Sequence, residues 1–208
     1  MRRTWPTLPV AGVLGCLLWS GCTSLKRFAY QGWGRDAWQR PAEVIAALAI
    51  QPGAIVADLG AGGGYFTFRL AKAVGPAGTV YAVDIDADLL EYIADRARTE
   101  GLSNVRTITA GADDPRLPSD GVDLLFTSNV YHHLENRSAY FANVRKALRP
   151  GGRVAIVEHA GKSWFSKWFG HNTPSQTIRN EMAAAGYRLD QEFTFLSQQH
   201  FLVFSPAS

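Results

Sequence analysis

From residue 40 onward, apolar residues follow two spacings that alternate along the chain. Runs such as Ile55-Val56-Ala57 and Leu124-Leu125-Phe126 are continuous, as in strands buried on both faces, whereas Val44, Ile45 and Leu48 recur at the spacing of one helical face. The pattern predicts strands at 54–59, 79–84, 105–110, 122–127 and 153–158, with helices at 65–74, 87–100 and 135–148. An earlier helix opens at Arg40-Pro41-Ala42-Glu43, where proline suits the first turn, and Gln51-Pro52-Gly53 ends it. Pro76, Gly78, Gly101 and Pro150-Gly151-Gly152 punctuate the handovers from helix to strand. Such alternation implies an α/β fold, a parallel sheet covered by helices on both faces. The carboxyl-terminal pattern differs. Thr173-Pro174-Ser175-Gln176 offers a capping residue, proline at the first helical position and glutamine at the third, predicting a helix to about Ala185 that stops at Gly186. Two β-rich runs follow, 187–196 and 200–204, and they must pair antiparallel, because a parallel return needs a crossover of about a dozen residues.

The chain has 208 residues, enough for one α/β domain with a core of its own. Hydrophobic residues make up 47% and charged residues 19%, and the body holds no uninterrupted apolar run of a spanning helix's length. The net charge of +3 is scattered rather than gathered into a tract, so no nucleic-acid partner is expected. Ahead of the body, Arg2-Arg3 and the apolar stretch 8–19 have the charged start and short centre of a secretory signal. Its end, Leu18-Trp19-Ser20-Gly21-Cys22, resembles the lipobox of bacterial lipoproteins, which implies removal of 1–21 and a lipid anchor at Cys22 on a membrane. Val13-Leu14-Gly15-Cys16 is a competing match, and an uncleaved membrane-associating tail or a cytoplasmic enzyme with a mis-assigned start are the alternatives. The chain then divides into the leader 1–21, a connector 22–40 and a domain 41–208. Both cysteines, Cys16 and Cys22, fall in the first segment, which leaves the body without a disulfide or a cysteine-based metal site.

The candidate chemistry begins at Asp58-Leu59-Gly60-Ala61-Gly62-Gly63-Gly64, directly after the first strand. Glycine at alternate positions lets the backbone turn sharply, expose amides at the next helix's start and approach a ligand where a Cβ would collide. A nicotinamide-type spacing from Gly60 would need glycine or alanine at Tyr65, and no lysine follows the glycines as a phosphate-binding P-loop requires. Asp84 ends the second strand, where a carboxylate can accept both hydroxyls of a ribose.

Asp58-x-Gly60-x-Gly62-x-Gly64 resembles the first motif of the class I S-adenosylmethionine-dependent methyltransferases, and Val83-Asp84 resembles their second. The resemblance extends through Gly111-Ala112-Asp113-Asp114, Asp123-Leu124-Leu125-Phe126 and Leu148-Arg149-Pro150-Gly151-Gly152, covering about residues 36–205. It implies a Rossmann-like seven-stranded sheet of order 3-2-1-4-5-7-6 with strand 7 antiparallel, S-adenosyl-L-methionine as cofactor, and methyl transfer to a small-molecule acceptor. It also implies that Asp58 lies near the cofactor's amino-acid end, with holding the loop's own amides as its alternative role. Asp113 is expected against the adenine or as a turn residue, and Gly60, Ala61, Gly62, Gly64, Asp84, Ile85 and Asn129 in the cofactor site.

The loop after strand four, Ser128-Asn129-Val130-Tyr131-His132-His133, neighbours the transferring methyl group. His132 or His133 is the candidate base, and adjacent residues face different ways, so at most one points into the site. Glu158-His159, at the end of strand five, is the second candidate. His132, His133, Glu158, His159 and His171 follow no recognised metal-ligand spacing, so no metal is expected. The Asn-Pro-Pro-aromatic tetrapeptide of amino-group methyltransferases is absent, against a base-amine or glutamine acceptor. Residues 161–170 carry four aromatics and two lysines, suiting a lid over a lipophilic acceptor, an element at the membrane interface, or a cap on the domain's own core. Tyr30, Trp33, Arg35 and Trp38 are expected over the cofactor mouth. The alternative to an enzyme is a non-catalytic lipoprotein that binds a nucleoside or cofactor.

Overall fold

The structure is a computed structural model, and it describes residues 34–161 and 172–207. Seven strands form one sheet: β1 Ile55–Leu59, β2 Thr79–Asp84, β3 Val105–Thr109, β4 Val122–Ser128, β5 Leu148–His159, β6 Tyr187–Phe193 and β7 Gln199–Pro206. Their order is β3-β2-β1-β4-β5-β7-β6. β1 through β5 pair in parallel, while β7 is antiparallel to both β5 and β6. The Rossmann-like sheet expected from the motifs is therefore present, with its closing hairpin.

Among the described residues six α-helices accompany the strands: α1 Arg35–Gln39, α2 Pro41–Ala47, α3 Thr67–Val74, α4 Ala87–Thr99, α5 Arg137–Val144 and α6 Ser175–Ala184. Val44 and Leu48 are fully buried and pack with Leu70, Val74, Phe126 and Phe201 on one face of the sheet. Phe141, Val144, Ile178 and Met182 pack with Val154, Ile156 and Phe204 on the other. Asp86 caps α4 by accepting from the backbone N–H of Asp88 and of Leu89. Among the described residues no helix is long and apolar enough to cross a membrane.

Four local expectations change. The connector's end is helical at α1, and Gln39 there is buried. The helix expected at 135–148 is α5 followed by a 3-10 turn at Arg145–Ala147, because Leu148 is already paired with Val122 in the sheet. Strand five starts earlier than 153, with the residues between Leu148 and Arg153 looped out where Gly151 takes φ 81°. Pro174 is the cap of α6 rather than its first residue: its carbonyl accepts the N–H of Ile178, and no side chain caps the helix.

Candidate active site

The carboxyl ends of β1, β2, β4 and β5 meet at one rim, because all four strands run in the same direction. β1 ends at Leu59, and the chain turns at once through Gly60 (φ 73°), Gly62 (φ 53°) and Gly64 (φ 80°). These are left-handed conformations that side chains other than glycine rarely adopt. The Gly60 and Ala61 N–H groups donate to Val83 O at 2.7 and 3.1 Å, which ties the turn to β2. A Cβ on Gly60 would stand 2.2 Å from Val130 Cγ2, and one on Gly64 would stand 2.4 Å from the Phe68 ring. The turn is thus packed closely against neighbouring side chains at Gly60 and at Gly64.

Asp84 ends β2 half-buried, its Oδ2 accepting the Gly62 N–H at 2.8 Å and its Oδ1 the Asp86 N–H at 3.0 Å. Each carboxylate oxygen retains acceptor capacity beyond one bond. Ile85, immediately beyond, is 72% exposed. The Ala110 N–H donates to Asp84 O at 2.9 Å, bringing the loop with Asp113 beside the end of β2. Asp113 is exposed there, while Asp114 closes the turn by accepting the Arg116 N–H at 2.8 Å. A diol could donate to Asp84 and a flat base lie on Ile85, so the carboxylate's spare acceptor capacity and the glycine-rich turn fit a nucleoside cofactor carrying a ribose.

Asp58 is buried beneath this turn and accepts from Thr67 Oγ1 at 2.6 Å. It thus holds the hydroxyl at the start of α3. Burial pushes its carboxyl up to about 7, with Asp84 adding to the rise and the Thr67 hydrogen bond and Arg35 opposing it. Thr67 is a partner that the motif did not reveal.

The loop after β4 crosses the same rim. Asn129 adopts φ 57°, donates its N–H to Val157 O at 2.8 Å and accepts from Gln199 Nε2 at 2.8 Å through its side chain. Tyr131–His133 forms a 3-10 turn. His132 Nδ1 lies 2.9 Å from Glu158 Oε1, in a pair whose side chains are 8% and 0% exposed. The same carboxylate accepts the His159 N–H at 2.8 Å and the His132 N–H at 3.3 Å. His133, by contrast, is exposed, with its ring 4.0 Å from that of His132. The two sequence candidates, the histidine pair and Glu158-His159, therefore form one cluster in which His132 is the inward member.

Helix α1 borders the rim as well. Gln39 donates to Ser128 Oγ at 3.0 Å, Arg35 hydrogen-bonds Gln39, and Trp38 stacks on His159 at 5.5 Å. Arg35 also lies over the Tyr65 ring at 4.0 Å. Gln39, Thr67 and Gln199 were not found from sequence, since no motif marks them, and Ser128 was read only as part of the loop after strand four. Tyr30, Trp33, Cys16, Cys22, His171 and residues 162–170 lie outside the described residues. Among the described residues, no group of three His, Cys, Asp or Glu converges as a metal site would require.

Comparison with known proteins gives a consistent grouping. A family described as a methyltransferase domain matches residues 50–196. The ubiquinone/menaquinone biosynthesis C-methyltransferase of Burkholderia cenocepacia (strain HI2424) is 31% identical over 128 residues, 62% of this chain and 51% of that protein. The chain thus spans about half the length of the curated relatives it matches. A solved S-adenosylmethionine-dependent methyltransferase from Aquifex aeolicus superposes with a TM-score of 0.79 at 20% identity, covering 86% of this chain and 96% of that one. A TehB-like methyltransferase from Corynebacterium glutamicum superposes with a TM-score of 0.64 at 20% identity, covering 88% and 99%.

Proposed function

The chain belongs to the methyltransferase-domain family, and from that membership we propose that it methylates a small or lipophilic acceptor held against the carboxyl ends of β4 and β5. S-adenosyl-L-methionine is the cofactor, and when bound it supplies an electrophilic methyl group on a sulfonium, open to in-line displacement. One observation carries the reading: the Cβ position of Gly60 abuts Val130. The cofactor turn and the loop bearing His132 are therefore in contact, and an acceptor at His132 adjoins the cofactor's seat.

The residues divide the work as follows. The Gly60–Gly64 turn, Asp84 and Ile85 bind the cofactor, with Asp113 beside its base and Asp58 under its amino-acid end. His132 removes a proton from the acceptor as the methyl group arrives. Because a carboxylate can only accept, Glu158 fixes the proton on Nδ1 of His132 and leaves exchange with the acceptor to Nε2. Glu158 is then a positioning residue.

The relatives named for ubiquinone/menaquinone biosynthesis support a lipophilic acceptor. A lipid anchor at Cys22, with the aromatic segment 161–170 at the membrane surface, is the matching location and rests on the sequence alone. Fractionating cells that express a carboxyl-terminally tagged chain tests it. A body outside the cytoplasm, away from the cofactor's supply, would favour the non-catalytic binding lipoprotein instead. The enzyme reading is tested by calorimetric titration of the purified protein with S-adenosyl-L-methionine, repeated on Asp84→Ala and with NAD as competitor. Micromolar binding lost in Asp84→Ala is expected; no binding, or a preference for NAD, would end the proposal.

A further inference from the structure

Gln199 opens β7 directly opposite His159 on β5, and only 3% of it is exposed. Its Nε2 donates to Asn129 Oδ1 at 2.8 Å. Its Oε1 is buried and has no hydrogen-bond partner among the described residues. A buried carbonyl left unpaired is destabilising, so such a group calls for a donor from outside the fold.

The position of that oxygen identifies what the donor belongs to. Asn129 is the first residue beyond β4, and its N–H is tied to Val157 of β5. The Gln199 amide therefore reaches from β7 across the carboxyl end of β5, at the rim shared with His132 and the glycine turn. His159, its register partner, carries the Trp38 ring stacked on it at 5.5 Å with 25° between planes. Trp38 and His159 are both half-buried, and the antiparallel register puts the His159 and Gln199 side chains on the same face of the sheet. With Asn129 presenting its Oδ1, the Gln199 amide turns its N–H toward Asn129 and leaves Oε1 unpaired. It thus asks for a donor and rejects groups that only accept.

We propose that Gln199 is a specificity-determining residue for the methyl acceptor, its Oε1 accepting a hydrogen bond from a hydroxyl on a flat aromatic molecule seated beside Trp38 and His159. This rests on the methyltransferase reading above and adds the acceptor's chemical class: an aromatic alcohol, with ethers and ketones of the same shape excluded. A site with a buried group that needs the substrate's hydroxyl discriminates strongly against the analogue without one.

The test uses the protein loaded with S-adenosyl-L-homocysteine and two probes of similar shape, catechol and 1,2-dimethoxybenzene, with affinities measured by NMR titration. Catechol is expected to bind at least tenfold more tightly and to shift the Gln199 side-chain amide resonances, which the diether leaves in place. In Gln199→Met, which keeps the side chain's length but lacks the carbonyl, the preference should vanish while affinity for S-adenosyl-L-homocysteine stays unchanged. Should Gln199→Met fail to fold, the amide shifts in the unaltered protein decide the matter. Equal affinity for the two probes, binding of neither, or a preference that survives in Gln199→Met overturns the proposal. Loss of S-adenosyl-L-homocysteine binding in the unaltered protein would instead bring down the methyltransferase reading beneath it.

Discussion

Around β1 and β2 the site is held by main chain. Gly60 and Ala61 bond to the Val83 carbonyl, and Gly62 reaches the Asp84 carboxylate 22 residues away. Around β4, β5 and β7 it is held by side chains that meet across the fold: His132 on Glu158, 26 residues apart, Gln199 on Asn129, 70 apart, and Gln39 on Ser128, 89 apart. The first half depends on backbone shape and has no room for a Cβ at Gly60 or Gly64. The second depends on hydrogen-bond partners and has spare acceptor capacity. Under the proposed function the first half seats the cofactor, and the second is where side-chain exchange would retune the enzyme.

The most severe way to break this contrast is Gly60→Val. The new side chain would meet Val130 and hold φ 73°, which should cost about 2–6 kcal/mol of stability and abolish measurable cofactor binding. Urea unfolding and calorimetry report the two effects separately. On the other side, His132→Asn should lower kcat by about 10²–10⁴-fold while the affinity for S-adenosyl-L-methionine is retained. Glu158→Gln should fall between the wild type and His132→Asn, and it should alter the pH profile of turnover, which a packing role would not do. Equal loss of cofactor affinity in these variants would erase the division into halves. Asp84→Asn sharpens it more gently: losing a charged acceptor should weaken cofactor binding by about 10–100-fold, or 1.5–3 kcal/mol. The protein should remain folded by circular dichroism.

The smallest effect concerns Asp58, whose carboxyl burial lifts from 3.8 to about 7. A raised pKa means that the folded state binds the proton more tightly than the unfolded chain. The stabilising contribution is therefore complete below pH 3.8 and is lost as pH rises towards 7. Asp58→Asn stays uncharged, so its stability should vary less with pH across that window. A cationic cofactor near Asp58 favours the ionised form, and binding at pH 7 should release a fraction of a proton. Calorimetry in buffers of different ionisation enthalpy measures that fraction. Heats independent of the buffer would separate Asp58 from the ligand's charge.

The cofactor half was legible because its determinants are local. A strand end, three glycines and the carboxylate that ends the next strand are contiguous or regularly spaced, and backbone sterics favour glycine where φ is positive. Thr67 escaped notice because a threonine opening a helix has many roles. The acceptor half was legible only in fragments. His132, His133, Glu158 and His159 stood out as residue types, yet nothing along the chain said that His132 turns inward onto Glu158 and His133 outward. The 3-10 turn at Tyr131–His133 decides that. Helix α1 went unpredicted because five residues carry too little periodicity, and its anchoring comes from Gln39 and Arg35.

By itself the sequence determined the α/β class, the antiparallel closing pair and the cofactor turn, since hydrophobic period and glycine conformation act over a few residues. Which side chains pair at the acceptor rim was decided only by the tertiary structure. The parallel register of β4 with β5 and the antiparallel return of β7 bring residues as far apart as 129 and 199 within hydrogen-bond reach, and no local preference along the chain encodes such a meeting.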